Sequence, residues 1–206
     1  MEIVRVTEDN LKDVAVLTAK ILSLGGVVLY PTDTLYGLGV DALNPQAVER
    51  LRQVKARESK KPISVVVRNH EEAEKHVEIS EEAKALMERH LPGALTLVVP
   101  ARAHIPEGVL LNGALGVRIP DDIVALALAH AFPNPITATS ANISGYRTAH
   151  AVEDILRELG RHAEHIDLVI DDGPRESPHP STVVTLIEGK PYILREGKIS
   201  REELGL

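Results

Sequence analysis

The chain has 206 residues, 23 Lys plus Arg against 30 Asp plus Glu for a net charge of −7, and no cysteine. That length supports a single domain, 1–206, able to bury a core without disulfides, and it excludes thiol nucleophiles and cysteine-ligated metals. The acidic balance argues against binding nucleic acid through overall charge. No apolar run reaches the ~18 residues of a membrane span, and Met1-Glu2-Ile3-Val4-Arg5 does not read as a signal peptide, so a soluble, cytoplasmic protein without membrane attachment is expected.

In chain order, Asp9 or Asn10 caps a helix that places Leu11, Val14, Ala15, Thr18, Ile21 and Leu22 on one face and ends at Gly25. Strand Val27–Tyr30 follows. It empties into Pro31-Thr32-Asp33-Thr34-Leu35-Tyr36-Gly37-Leu38-Gly39, the density of hydroxyls, carboxylate and glycines that open α/β folds place at the carboxyl ends of strands to hold ligands. Asn44-Pro45 starts a helix with Ala47, Val48, Leu51 and Val54 inward. Ile63–Val67 is a buried strand by composition. Two acidic helices follow, near Glu71–Val77 and Glu81–His90, the second capped by Ser80. Leu95–Val99, Leu115–Ile119, Ile136–Thr139, Leu168–Ile170, Thr182–Ile187 and Tyr192–Leu194 read as strands, with helices Ile123–Ala131 and Val152–Leu159 between some of them. The last two strands form a hairpin, so the fold class is α/β with a mixed sheet. Asp171 to Pro180 reads as a loop within the domain.

Two motifs are set aside. Gly37-Leu38-Gly39-Val40-Asp41-Ala42 matches a dinucleotide fingerprint in letters, but its glycines do not join strand directly to helix. His162 and His165 lack a third nearby ligand for a metal. Five segments carry the chemistry. Lys55-Ala56-Arg57 ends a helix; if the helix stops near Lys55 and the chain turns, Lys55, Arg57 and Lys61 converge at a cavity rim on a polyphosphate. In Ser140-Ala141-Asn142, an extended chain puts Ser140 and Asn142 on one face as uncharged hydrogen-bonding groups. Arg118 lies inside an apolar strand and needs a partner: a ligand carboxylate, Asp33 or Asp121. Ser181-Thr182 places two hydroxyls at a strand mouth, and Arg195 adds a late cation.

Taken with Pro92-Gly93-Ala94-Leu95-Thr96, these segments occur in the order seen in the YrdC/YciO family of threonylcarbamoyl-AMP synthases, which the chain resembles over nearly its whole length, in the short form. The resemblance implies a twisted mixed sheet with flanking helices around a positively charged concave cavity. It also implies nucleotidyl transfer: L-threonine, bicarbonate or CO2, and ATP give threonylcarbamoyl-AMP and pyrophosphate, and a separate threonylcarbamoyl transferase passes the group to tRNA. Carried over, Lys55, Arg57, Ser140 and Asn142 are the catalytic set. Arg57, Lys61, Asn142, His150 and Arg195 hold ATP, which brings Mg2+; no tightly bound cofactor and no protein-ligated metal are implied. Thr34, Arg118, Ser140 and Ser181 hold threonine. The chain departs from the family at Glu58, Val66, Ala114 and His150. Two other readings stand beside this one: a paralogue that binds tRNA or double-stranded RNA through the cavity, and a carbamoyl-adenylate former acting on a different amine. Retention of Lys55, Arg57, Ser140 and Asn142 favours catalysis.

Overall fold

The computed structural model describes residues 1–56, 61–146, 148–175, 179–187 and 189–206. In chain order the strands are β1 (Glu2–Arg5), β2 (Val28–Tyr30), β3 (Gly37–Gly39), β4 (Val65–Val66), β5 (Leu95–Pro100), β6 (Ala114–Arg118), β7 (Ile136–Thr137), β8 (Thr139–Ser140), β9 (Leu168–Asp171), β10 (Thr182–Ile187) and β11 (Lys190–Arg195). The α-helices are α1 (Leu11–Ser23), α2 (Pro45–Val54), α3 (His70–His76), α4 (Glu81–His90), α5 (Ile123–Ala131) and α6 (Val152–Leu159).

The expected single mixed sheet is in fact two. One has the order β1-β9-β2-β3-β8 and the other β11-β10-β5-β6-β4-β7, and each mixes parallel and antiparallel pairs. The division falls within the stretch read as one strand, Ile136–Thr139. Its first half, β7, pairs with β4, and its second half, β8, pairs with β3. Between them the Ala138 N–H donates to Ser64 O at 2.6 Å, one step beyond the β4–β7 pairing and in its register. The chain therefore crosses from one sheet to the other within four residues, and the sheets meet there.

Alternation along the strands builds two cores. Val28 and Tyr30 of β2 and Leu168 and Ile170 of β9 pack with Val14 and Leu22 of α1 and Val124 and Leu128 of α5. Leu29 and Val169, one residue out of step, join Leu38, Leu97, Val117, Leu51 of α2 and Ile155 of α6 in the larger core, which the two sheets share. Each such aliphatic side chain contributes about 1.5–3 kcal/mol by leaving water.

Helix starts follow cap chemistry. Asn44 Oδ1 accepts from Gln46 N and Ala47 N ahead of Pro45, and Asn69, Ser80 and Asp122 cap α3, α4 and α5. Asn10 stands at the start of α1, but its side chain does not cap it: Oδ1 accepts from Thr7 N and Nδ2 donates to Arg5 O. Strands β1 and β3 escape sequence patterning, because β1 is a short, largely exposed edge and β3 is Gly-Leu-Gly. Glycine at 39 is a packing requirement: a Cβ there would lie 2.8 Å from both Tyr30 Cε1 and Ile136 Cγ2. No helix among the described residues is long and apolar enough to cross a membrane.

Candidate functional site

A cavity of about 280 Å³ opens where the sheets meet, at the carboxyl ends of β2, β6, β8 and β11 and the amino ends of β5 and β10. Its described lining includes Thr34, Lys55, Arg118, Ser140, Asn142, Ser181 and Arg195, all seven anticipated from the sequence, and no carboxylate. Arg57, assigned to catalysis and ATP, lies outside the described residues.

Helix α2 does end early, as the Lys-x-Arg spacing requires. Lys55 is its C-cap and Ala56 turns the chain at φ 45°. Lys55 is not at the rim, however: it is 2% exposed and set into the wall. Its Nζ donates to Asn142 Oδ1 at 2.8 Å, to Asn142 O at 3.0 Å and to Ser140 O. Ser140 Oγ donates to the same Asn142 Oδ1 at 2.8 Å, and Asn142 Nδ2 donates to Tyr146 O. Ser140 and Asn142 meet through a tight turn rather than an extended chain, with Asn142 N donating to Ser140 O at 3.0 Å.

Arg118, the last residue of β6, is 6% exposed and takes Asp33 as its partner, with NH2 2.5 Å from Asp33 Oδ1. Asp121 is exposed. Arg118 NH1 also donates to Thr34 Oγ1 at 2.9 Å and Nε to Gly93 O at 3.2 Å. Arg195, also in the lining, donates to Ser181 O at 2.8 Å and Ser181 Oγ at 3.2 Å. Burial, and then the charge of Arg118, pushes the Arg195 guanidinium below its ordinary pKa. Strand alternation separates the two hydroxyls at the mouth of β10. Ser181 faces the cavity, while Thr182 Oγ1 accepts from Gly197 N at 2.9 Å and Ile199 N at 3.1 Å and so pins the chain after β11.

Two anticipated nucleotide contacts stand apart. Lys61 does not line the cavity but reaches its edge, with Nζ 3.3 Å from the lining residue Ser144. His150 is exposed and does not line it; its Nδ1 lies 3.0 Å from Arg175 O, while Arg175 N donates to His150 O, so this pairing turns the ring toward the loop after β9. Two residues lay in segments singled out from the sequence but were given no role there: Thr96, whose Oγ1 lies 2.8 Å from Ser181 Oγ, and the wall residue Tyr36. Thr96 is a hydroxyl within an apolar strand, the signal that Arg118 gave. The Tyr36 hydroxyl, pushed up to about 12 chiefly by burial, donates to Gly173 O at 2.7 Å, with the Arg175 guanidinium 5.5 Å from its ring centre.

Fold and site together define an α/β protein whose strand ends gather cations and hydroxyls around one cavity suited to small anionic ligands. The chain belongs to the Sua5/YciO/YrdC family: the family model described as "Telomere recombination" matches residues 20–197. It is 34% identical over 204 residues to a putative threonylcarbamoyl-AMP synthase of Methanocaldococcus jannaschii, covering 99% of this chain and 95% of that relative. It is 36% identical over 192 residues to the threonylcarbamoyl-AMP synthase of Pyrococcus abyssi, covering 91% of this chain and 55% of that longer relative. The solved P. abyssi Sua5 in complex with L-threonine superposes with a TM-score of 0.87 at 33% identity, over 98% of this chain and 59% of that one.

Proposed function

We propose that this protein is a threonylcarbamoyl-AMP synthase, joining L-threonine, bicarbonate or CO2, and ATP into threonylcarbamoyl-AMP with release of pyrophosphate. The observation that carries this reading is the convergence of Lys55, Arg118 and Arg195 with Thr34, Ser140 and Ser181 on one cavity, in a chain with the Sua5 fold. In this reading Arg118, Thr34, Ser140 and Ser181 hold the amino acid, and Arg195, Asn142, Lys61 and Arg57 hold the nucleotide. The threonine nitrogen, as the free amine, bonds to the carbon of CO2 and gives up a proton to solvent, forming a carbamate. A carbamate oxygen then bonds to the α-phosphorus as the bond from that phosphorus to the oxygen of the leaving pyrophosphate breaks.

Such a reaction needs two anions held in contact and the developing charge offset, and buried cations with fixed hydroxyls supply both without a covalent nucleophile. The described lining offers cations and neutral oxygens but no carboxylate, so Mg2+ would arrive with the triphosphate rather than on a protein ligand set. The product would then go to a separate transferase acting on tRNA.

Pyrophosphate release from ATP, Mg2+ and bicarbonate tests the proposal, with and without L-threonine and with L-serine as control. Release that requires threonine and bicarbonate is the expected result. A folded, ATP-binding protein without threonine-dependent release would refute it.

A further inference from the structure

The two arginines of the cavity differ in what offsets their charge. Arg118 forms an ion pair with Asp33 in which the side chains are 7% and 8% exposed. The bonds described for Arg195 go to the carbonyl and hydroxyl oxygens of Ser181, both neutral, and no ion pair of Arg195 occurs among the described residues. Within one lining, Arg118 is thus formally neutralised while Arg195 keeps a positive charge. Arg118 also has little donor capacity left: of its five N–H groups, Gly93 O, Thr34 Oγ1 and Asp33 Oδ1 take three, leaving two for a ligand.

The two guanidiniums suit different anions. A zwitterionic amino acid brings one carboxylate and no net charge, which two N–H groups on a neutralised guanidinium accommodate. A phosphate group brings more charge and three acceptor oxygens. Near Asp33 it meets a fixed negative charge, and like charges about 4 Å apart at a protein surface repel strongly enough for discrimination on the order of a hundredfold.

We propose that Asp33 sorts the two substrates: by neutralising Arg118 it reserves that guanidinium for the amino-acid carboxylate and leaves phosphate groups to Arg195. The inference rests on the synthase reading. Asp33 acts through Arg118 and is a positioning residue.

The test is calorimetric titration of the full-length protein with L-threonine and, separately, with ATP, each with and without inorganic phosphate. Phosphate should weaken ATP binding to the wild-type protein and leave threonine binding unchanged. In Asp33→Asn the Oδ1 acceptor for Arg118 remains but the charge is gone. The same phosphate concentration should then weaken threonine binding about tenfold, and Asp33→Glu should restore the wild-type pattern. Phosphate that displaces threonine from the wild-type protein overturns the inference and needs no variant to fold. Threonine binding to Asp33→Asn that stays insensitive to phosphate also overturns it. A wild-type protein that binds ATP but never threonine overturns the synthase reading itself, an outcome distinct from both.

Discussion

Asn142 Oδ1 accepts one hydrogen bond from Lys55 Nζ and another from Ser140 Oγ, each at 2.8 Å, so a single amide oxygen ties the end of α2 to the turn after β8. The lysine reaches it across 87 residues of sequence and, through the same ammonium, satisfies the carbonyls of Ser140 and Asn142. The cation is part of the wall as well as of the chemistry.

Lys55→Met should therefore cost stability as well as activity. It keeps much of the stem and removes the donors: Asn142 Oδ1 keeps the Ser140 hydroxyl and Ser140 O keeps Asn142 N, but all three acceptors lose the ammonium, at a cost of about 2 kcal/mol. Urea denaturation measures the shift, and threonine-dependent pyrophosphate release should be lost in the same variant. An unshifted urea midpoint would show that the wall does not depend on this ammonium.

Ser181→Ala should act on threonine more than on ATP. The hydroxyl leaves Thr96 Oγ1, but the Ser181 carbonyl still accepts from Arg195 NH2 at 2.8 Å, so the guanidinium keeps its place. The expected stability loss is about 1 kcal/mol. The KM for threonine should rise about tenfold while that for ATP changes little. Steady-state kinetics with each substrate varied in turn decides it, and equal effects on both KM values would count against the assignment.

Gly197→Ala should damage the site without touching a ligand. A Cβ at 197 would stand 2.2 Å from Pro180 O and 2.6 Å from Ser181 C, both backbone, so the chain after β11 must move away from the mouth of β10. Overpacking of this kind costs about 2 kcal/mol. Because Arg195 sits two residues earlier, ATP affinity should fall as well. Thermal unfolding and ATP titration of the variant check both effects.

His76 should make stability depend on pH far from the cavity. Burial first, then the neighbouring His104, Lys75 and Arg68, push its pKa from 6.5 down to about 4, and its Nδ1 lies 3.0 Å from His104 Nε2. The folded state favours the neutral ring, so the unfolded chain binds the proton more readily. This contribution is present in full above 6.5 and is lost as pH falls toward 4. Urea midpoints measured across that window should fall less steeply in His76→Gln than in the wild-type protein; identical profiles would exclude His76 as the source.

Much of the fold was legible because its signals are local. Pro45 behind Asn44, Ser80 before Glu81 and the apolar spacing of α1 and α2 each act within a turn or two of chain, and those elements form where their residues say. Strand β3 was not legible, since Gly-Leu-Gly carries no strand preference. It is a strand because β2 lies beside it and the Tyr30 ring fills the space that a side chain at 39 would need. The split of Ile136–Thr139 was hidden for a related reason: the run is uniformly strand-like, and only its neighbours, β4 on one side and β3 on the other, divide it.

For the site, the sequence by itself determined which residue types stand at the strand ends: the hydroxyls at 34, 140 and 181, the cations at 55, 118 and 195, and the amide at 142. It also determined that Arg118 must have a partner, because a guanidinium within an apolar strand cannot stay unpaired. The tertiary structure alone decided which partner. Asp33 is 85 residues away and Asp121 only three, yet β6 ends beside the loop after β2, which brings in the distant carboxylate and leaves the near one exposed. It likewise drew Lys55 into the wall and turned His150 toward Arg175. Caps and periodicity are read over a few residues, whereas these pairings depend on where two sheets meet, and that junction is set by contacts between segments far apart in the chain.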